Sequence, residues 1–278
     1  MQQEAFFLPM GDGRRGQRLC IFHPASAKVA SGAFLYVHPF AEEMNKSRRM
    51  AHQQARALAG AGHAVLQIDL LGCGDSSGDS GDATWQDWVD DVVEAAQWLR
   101  ARVSAPLWLW GLRAGCLLAA EAANKIDAPC NFLFWQAPAS GKPLLHQFLR
   151  LAAAGDMLEG RSKGAMDRLR ESVSRDESVE IAGYRLSPGL ARGLEASTLS
   201  APRNARRVEW IEIASAPGAE LSPAGARSVA AWRHSGVAAQ PRVVRGPAFW
   251  QTVEIEDAPE LIGASMQACQ LPMEAVPA

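Results

Sequence analysis

The chain has 278 residues, 48% of them hydrophobic, and a formal net charge of −2. That is enough for one well-buried α/β domain with a small insertion, and it gives no electrostatic reason to expect nucleic acid or an anionic membrane as partner. The five cysteines (Cys20, Cys73, Cys116, Cys130, Cys269) form no C-x-x-C and no zinc-ligand spacing, so neither a metal site nor a cofactor is expected and free thiols in a reducing compartment are.

In chain order, residues 6–8 and 18–23 read as short strands around a glycine-rich turn at 11–16. The start, residues 1–9, carries no basic or long apolar signal segment, and no run reaches the roughly 20 apolar residues of a membrane span. Together with the cysteines this predicts a cytoplasmic location. Residues 32–38 (GAFLYVH) form a buried-strand run. A loop at 39–45 leads to a helix over 46–59 that ends at Gly60 and Gly62. A strand follows at 63–70, then a polar loop at 72–81. Thr84 caps a helix reaching Arg102, with Asp87, Asp90 and Asp91 in its early turns, where the helix dipole favours acids. Residues 106–110 are a strand, 113–126 a helix and 130–136 a strand. From 32 to 136 the order is therefore β-α-β-α-β-α-β, which predicts a mostly parallel sheet with helices on both faces and a ligand site at the carboxyl ends of its strands.

Residues 138–201 break the pattern, with helices expected at 144–153 and 164–173. After them come a strand at 208–214, a helix at 223–234, a short strand at 242–245 and a closing helix at 261–270. Nine tryptophans against two tyrosines fit an aromatic-lined pocket or simply packing.

The apolar run 106–110, the sequence Gly111-Leu112-Arg113-Ala114-Gly115 and the small-residue helix after it resemble the nucleophile elbow, G-x-S-x-G, of the α/β-hydrolases. The stretch Asp69-Leu70-Leu71-Gly72-Cys73-Gly74-Asp75-Ser76 is similar to the D-x-x-G-x-G-x-S loop of that fold. More narrowly, His38-Pro39-Phe40-Ala41-Glu42-Glu43-Met44-Asn45-Lys46-Ser47-Arg48-Arg49 and Gly72-Cys73-Gly74-Asp75-Ser76-Ser77-Gly78 resemble the bacterial exosortase A system-associated hydrolases, type 2. The resemblance implies an α/β-hydrolase fold with core segments 1–137 and 202–278 and a small helical cap at 138–201. It also implies a link to exopolysaccharide-associated protein sorting, with contact to that machinery, and an esterase-like or acyl-transferring chemistry inherited from the fold.

The residues themselves qualify that chemistry. The elbow centre is Arg113, whose guanidinium is always protonated and cannot be a nucleophile. The acid of a triad should follow the strand at 208–214, where Glu220 stands. The histidine should follow the last strand, in Gly246-Pro247-Ala248-Phe249-Trp250, and none occurs there or later; His234, the last, ends a helix. A Ser-His-Asp mechanism is not expected, and catalytic residues stay unassigned. Candidates are Glu42 or Glu43 as a base on water and a Cys73/His38 pair. Cys116 on the elbow helix is expected to face the core, and Ser76 and Ser77 to serve as turn residues. A cation at a helix N-terminus calls for an anion. Either Glu42, Glu43 or Asp75 plugs Arg113 internally, or a small anionic or acyl ligand is held by Arg113 and the amides of Ala114 and Phe40, with Trp250 packing or stacking nearby. The two functional readings are thus an enzyme with an atypical site and a catalytically silent binding or accessory protein.

Overall fold

The period-two runs become the strands of one eight-stranded sheet in the computed structural model, which describes residues 3–158, 171–172, 175–216 and 218–270. In chain order these are β1 (Glu4–Pro9), β2 (Gln17–His23), β3 (Ala33–Val37), β4 (Ala64–Ile68), β5 (Leu107–Leu112) and β6 (Cys130–Trp135). A separate hairpin, β7 (Val179–Ile181) and β8 (Tyr184–Leu186), precedes β9 (Ala205–Ala214) and β10 (Ala238–Arg245). The sheet order is β1-β2-β4-β3-β5-β6-β9-β10. From β4 to β10 neighbouring strands are parallel, while β2 is antiparallel to both β1 and β4.

Side chains alternate across this sheet as the pleat requires. Leu35 and Val37 of β3 join one core with Leu109 of β5 and Phe132 and Phe134 of β6. Phe34, Tyr36, Trp108, Trp110, Leu133 and Trp135 join the other. Helices α2 (Trp85–Arg102) and α3 (Ala114–Ala123) cover the first face. Helices α1 (Glu42–Gly60) and α7 (Pro259–Gln270) cover the second. Tryptophan is spent mainly on packing: Trp88, Trp110, Trp135, Trp210 and Trp232 are among the largest fully buried side chains.

Between β6 and β9 lie α4 (Lys142–Leu158), the β7–β8 hairpin and α5 (Pro188–Ala196); α6 (Pro223–His234) follows β9. The described residues between β6 and β9 are thus mixed rather than purely helical. Ala182 and Gly183, at φ 51° and 82°, make the tight turn of the hairpin. The helix expected at 164–173 lies, apart from residues 171–172, outside the described residues. Two further boundaries are corrected. Helix α1 begins at Glu42, not Lys46, because the chain turns sharply at Ala41 (φ 48°). Strand β10 begins at Ala238, not Arg242. It contains Pro241, which is tolerated because β10 is an edge strand and need not donate on its outer side.

Candidate active site

Val37 of β3 pairs with Gly111 of β5, so the loop after β3 and the turn after β5 emerge side by side at the carboxyl edge of the sheet. The turn is tight. Arg113 has φ 54° and ψ −119° and is the N-cap of α3, a conformation costly for a residue with a side chain. A Cβ on Gly111 would stand 2.6 Å from the Cys116 nitrogen, and one on Gly115 would stand 2.1 Å from the Val37 carbonyl oxygen. Both positions require glycine because backbone lies where the side chain would go.

The strained turn aims Arg113 at the first turn of α1. Its Nε donates to Glu43 Oε1 at 3.2 Å and its Nη2 to the same oxygen at 3.1 Å. Nη2 also donates to Gln147 Oε1 on α4 at 2.9 Å, and Gln147 Nε2 donates back to Glu43 at 3.3 Å. The guanidinium carbon lies 5.7 Å from the Trp250 ring centre, within reach of a cation–π contact. The two charged side chains are 13% and 6% exposed. Burial pushes the Glu43 carboxyl up, against the opposing pull of Arg113 and the donors around it. Of the three acids expected as partners for Arg113, the structure selects Glu43; Asp75 is exposed.

Glu42 is half-buried, and its Oε2 has no hydrogen-bond partner, like Trp250 Nε1. Burial also raises the Glu42 carboxyl. The backbone amides of Phe40 and Ala114 donate to no acceptor among the described residues. Phe40's ring is packed edge-on against Phe148.

His38 and Cys73 are not brought into a hydrogen-bonded pair. His38 Nδ1 lies 2.8 Å from the Pro39 carbonyl and Nε2 accepts from the Leu70 amide at 3.2 Å. Those partners fix the neutral Nδ1–H tautomer, and burial lowers the ring's pKa. Burial also pushes the Cys73 thiol well above its ordinary range. Cys116 is buried, with Sγ 3.7 Å from the Trp135 carbonyl. Ser76 Oγ donates to the Asp69 carbonyl at 2.6 Å and accepts from the Leu19 amide at 2.9 Å. Ser77 Oγ accepts from Gln17. Both serines are thus loop fasteners. Glu220 is exposed, and His234 lies exposed at the end of α6.

Sequence reasoning missed Gln147. With His146 it is one of two half-buried polar residues among Leu144, Leu145, Phe148 and Leu149, all buried on α4, and an amide within an apolar helix segment was the available signal. It also missed Glu212. At the end of β9 this buried carboxylate accepts from the Ser222 amide at 2.7 Å and from its hydroxyl at 3.0 Å. No three-residue cluster of metal-ligating side chains occurs among the described residues. None of their helices is long and apolar enough to cross a membrane.

Comparison with known proteins agrees with this frame. The profile of the serine aminopeptidase family S33 matches residues 29–205, more than half of the chain, which therefore belongs to that family. An α/β serine hydrolase without lid from Xanthomonas campestris is 18% identical, with a TM-score of 0.54 over 99% of this chain and 98% of that one. Est1E from Butyrivibrio proteoclasticus, solved with ferulic acid, is 12% identical, with a TM-score of 0.62 over 95% and 97%. A thermostable carboxyl esterase from Bacillus coagulans is 14% identical, with a TM-score of 0.57 over 88% and 91%. At these identities the likeness establishes the α/β-hydrolase fold. No curated protein matches the chain.

Proposed function

We propose that this member of the S33 serine aminopeptidase family is a hydrolase frame that binds an anionic or acyl ligand without cleaving it. The observation that carries the reading is Arg113, standing where the family nucleophile would stand and held there by Glu43. A guanidinium cannot attack a carbonyl, and residues 246–250, where a general base would stand, read GPAFW. What the frame retains is its recognition apparatus. The unpartnered amides of Phe40 and Ala114 suit a carboxylate, phosphate or acyl oxygen, and Arg113 supplies charge once the ligand displaces Glu43. In this reading residues 138–201 are a cap between core segments 1–137 and 202–278. The sequence likeness of residues 38–49 and 72–78 to the exosortase-associated hydrolases supports a cytoplasmic accessory role in exopolysaccharide-linked protein sorting.

One observation favours an esterase-like second reading. The partnerless Glu42 Oε2, on a carboxyl raised by burial, is the kind of group that activates water. Purified protein offered short- and long-chain esters and thioesters, with acetate and phosphate titrated calorimetrically, decides between the two. Binding lost in Arg113→Ala, without turnover above background, is expected. Turnover abolished by Glu42→Gln would overturn the binding reading.

A further inference from the structure

Beside the plugged arginine lies a second space, a cavity of about 260 Å³ between the loops after β3 and β4 and the inserted segment. Its walls include Phe40, Met44, Trp88, Phe148, Leu186 and Leu190. Phe40 and Phe148 meet edge to face at 5.1 Å, and Phe40 and Trp88 lie 5.8 Å apart, so these walls are predominantly aromatic and aliphatic. Taking roughly 30 Å³ per small group, the space holds about eight or nine heavy atoms.

The cavity is built in advance of any ligand. Ser187 Oγ donates to the Ala83 carbonyl. A Cβ on Gly193 would come within 2.1 Å of Trp85 Cβ, and one on Gly189 within 2.8 Å of Thr84 Cγ2. These close approaches seat α5, from Gly189 to Gly193, on the start of α2 and fix the wall that carries Leu186 and Leu190. Asn45 Nδ2 donates to the Tyr184 hydroxyl at 3.0 Å and ties the hairpin to α1.

One cation borders this apolar space. The stem of Arg185 crosses Gly81 so closely that a Cβ there would lie 2.1 Å from Arg185 Cδ. Arg185 lines the cavity and forms no ion pair among the described residues. The nearby Asp79 accepts from the Gly81 amide through Oδ1 at 2.8 Å and makes no ion pair with Arg185. An apolar slot with a single free guanidinium at its border matches an amphiphile with one negative end.

We propose that this cavity binds an unbranched monocarboxylate of about six to ten carbons, sized by the space at roughly 30 Å³ per group, with its tail among Phe40, Trp88 and Phe148 and its carboxylate on Arg185. The proposal goes beyond the binding reading above by adding a second site apart from Arg113, and it rests on that reading, since a hydrolysing frame would release such a chain rather than hold it.

The test is calorimetric titration of the full chain with octanoate, acetate and 1-octanol. Octanoate is expected to bind at least about a hundredfold more tightly than acetate, which lacks the buried methylenes, and about tenfold more tightly than octanol, which lacks the charge. Arg185→Gln should bring octanoate to the level of octanol; the residue is exposed, so the variant should fold. Leu190→Trp, which fills the slot, should weaken both. Equal binding of octanoate and acetate, or an octanoate-to-octanol ratio unmoved by Arg185→Gln, overturns the proposal. Ester turnover in the same preparation would instead overturn the binding reading, so the two failures are read separately.

Discussion

Arg113 and Glu43 illustrate how much one residue position can carry. Both side chains are nearly excluded from water, so each is tolerable only because of the other. Arg113→Ala therefore strands a buried carboxylate and should cost about 3 kcal/mol in denaturant unfolding. Adding Glu43→Leu to that variant should recover most of the loss, because the double variant buries no unpaired charge; equal losses in single and double variants would refute the pairing. His38 supports a second prediction. Its folded pKa lies below the ordinary 6.5 because burial disfavours the charged ring, with Asp69 and the Pro39 carbonyl pulling the other way and Arg48 adding to the fall, while Nε2 is occupied in accepting from the Leu70 amide. The unfolded chain takes up a proton as the pH falls through 6.5 and the folded chain does not, so this contribution to stability is lost on acidification. The fall in unfolding free energy between pH 7.5 and 5.5 should be smaller in His38→Asn than in the parent. Equal falls would show that His38 titrates freely. Sequence reading narrowed the partner of Arg113 to three acids but could not choose among them. The choice depends on where α1 starts, and Ala41 sets that start through a positive φ that its side chain does not advertise.

Glycines in different elements serve different ends, as Gly115 after the β5–α3 turn and Gly263 in α7 show. Gly115 faces the Val37 carbonyl at 2.1 Å from where its Cβ would be, and a backbone oxygen in a central strand cannot give way. Gly115→Ala should therefore destabilise by about 2 kcal/mol or more through overpacking. Gly263 sits within α7 with nothing in the path of a Cβ, so Gly263→Ala should stabilise by about 0.5–1 kcal/mol through helix propensity alone. Thermal melts of the two variants should move in opposite directions; a shared sign would mean that the turn relaxes. At this scale the sequence was readable where period and punctuation agree, as in β3 to β6 and their helices. It was less readable where short elements are held by tertiary contact. The alternating Val179-Glu180-Ile181 and Tyr184-Arg185-Leu186 did carry a hairpin pattern around Ala182-Gly183, yet two three-residue strands have little local signal of their own. Their inner side chains, Ile181 and Leu186, are buried, so packing completes what the pattern only suggests.

Across the whole molecule, distant segments are joined by single buried charges, and Asp91 is the clearest case. Its side chain has no exposure. It accepts from Arg18 Nε at 2.6 Å, Arg15 Nη2 at 2.8 Å and the Leu71 amide at 2.8 Å. One carboxylate on α2 thus fastens the β1–β2 edge of the sheet and the loop that carries Cys73 into the cavity wall. Its sequence position, read as an acid favoured by the helix dipole, accounted for its presence but not for its burial. Removing its charge leaves Arg18, itself fully buried, without a counter-ion. Asp91→Asn should therefore cost about 3–5 kcal/mol. The exposed Arg49–Asp257 pair should behave differently, with Asp257→Asn leaving the melting temperature essentially unmoved because solvent and salt screen it. Hydrogen exchange supplies the sharper test. If Asp91 couples the sheet edge to the cavity rim, Asp91→Asn should raise exchange in β1, β2 and residues 69–77 together, while α7 on the opposite face keeps its protection. Faster exchange confined to one of those segments would mean that the carboxylate is a local anchor and that edge and rim open independently.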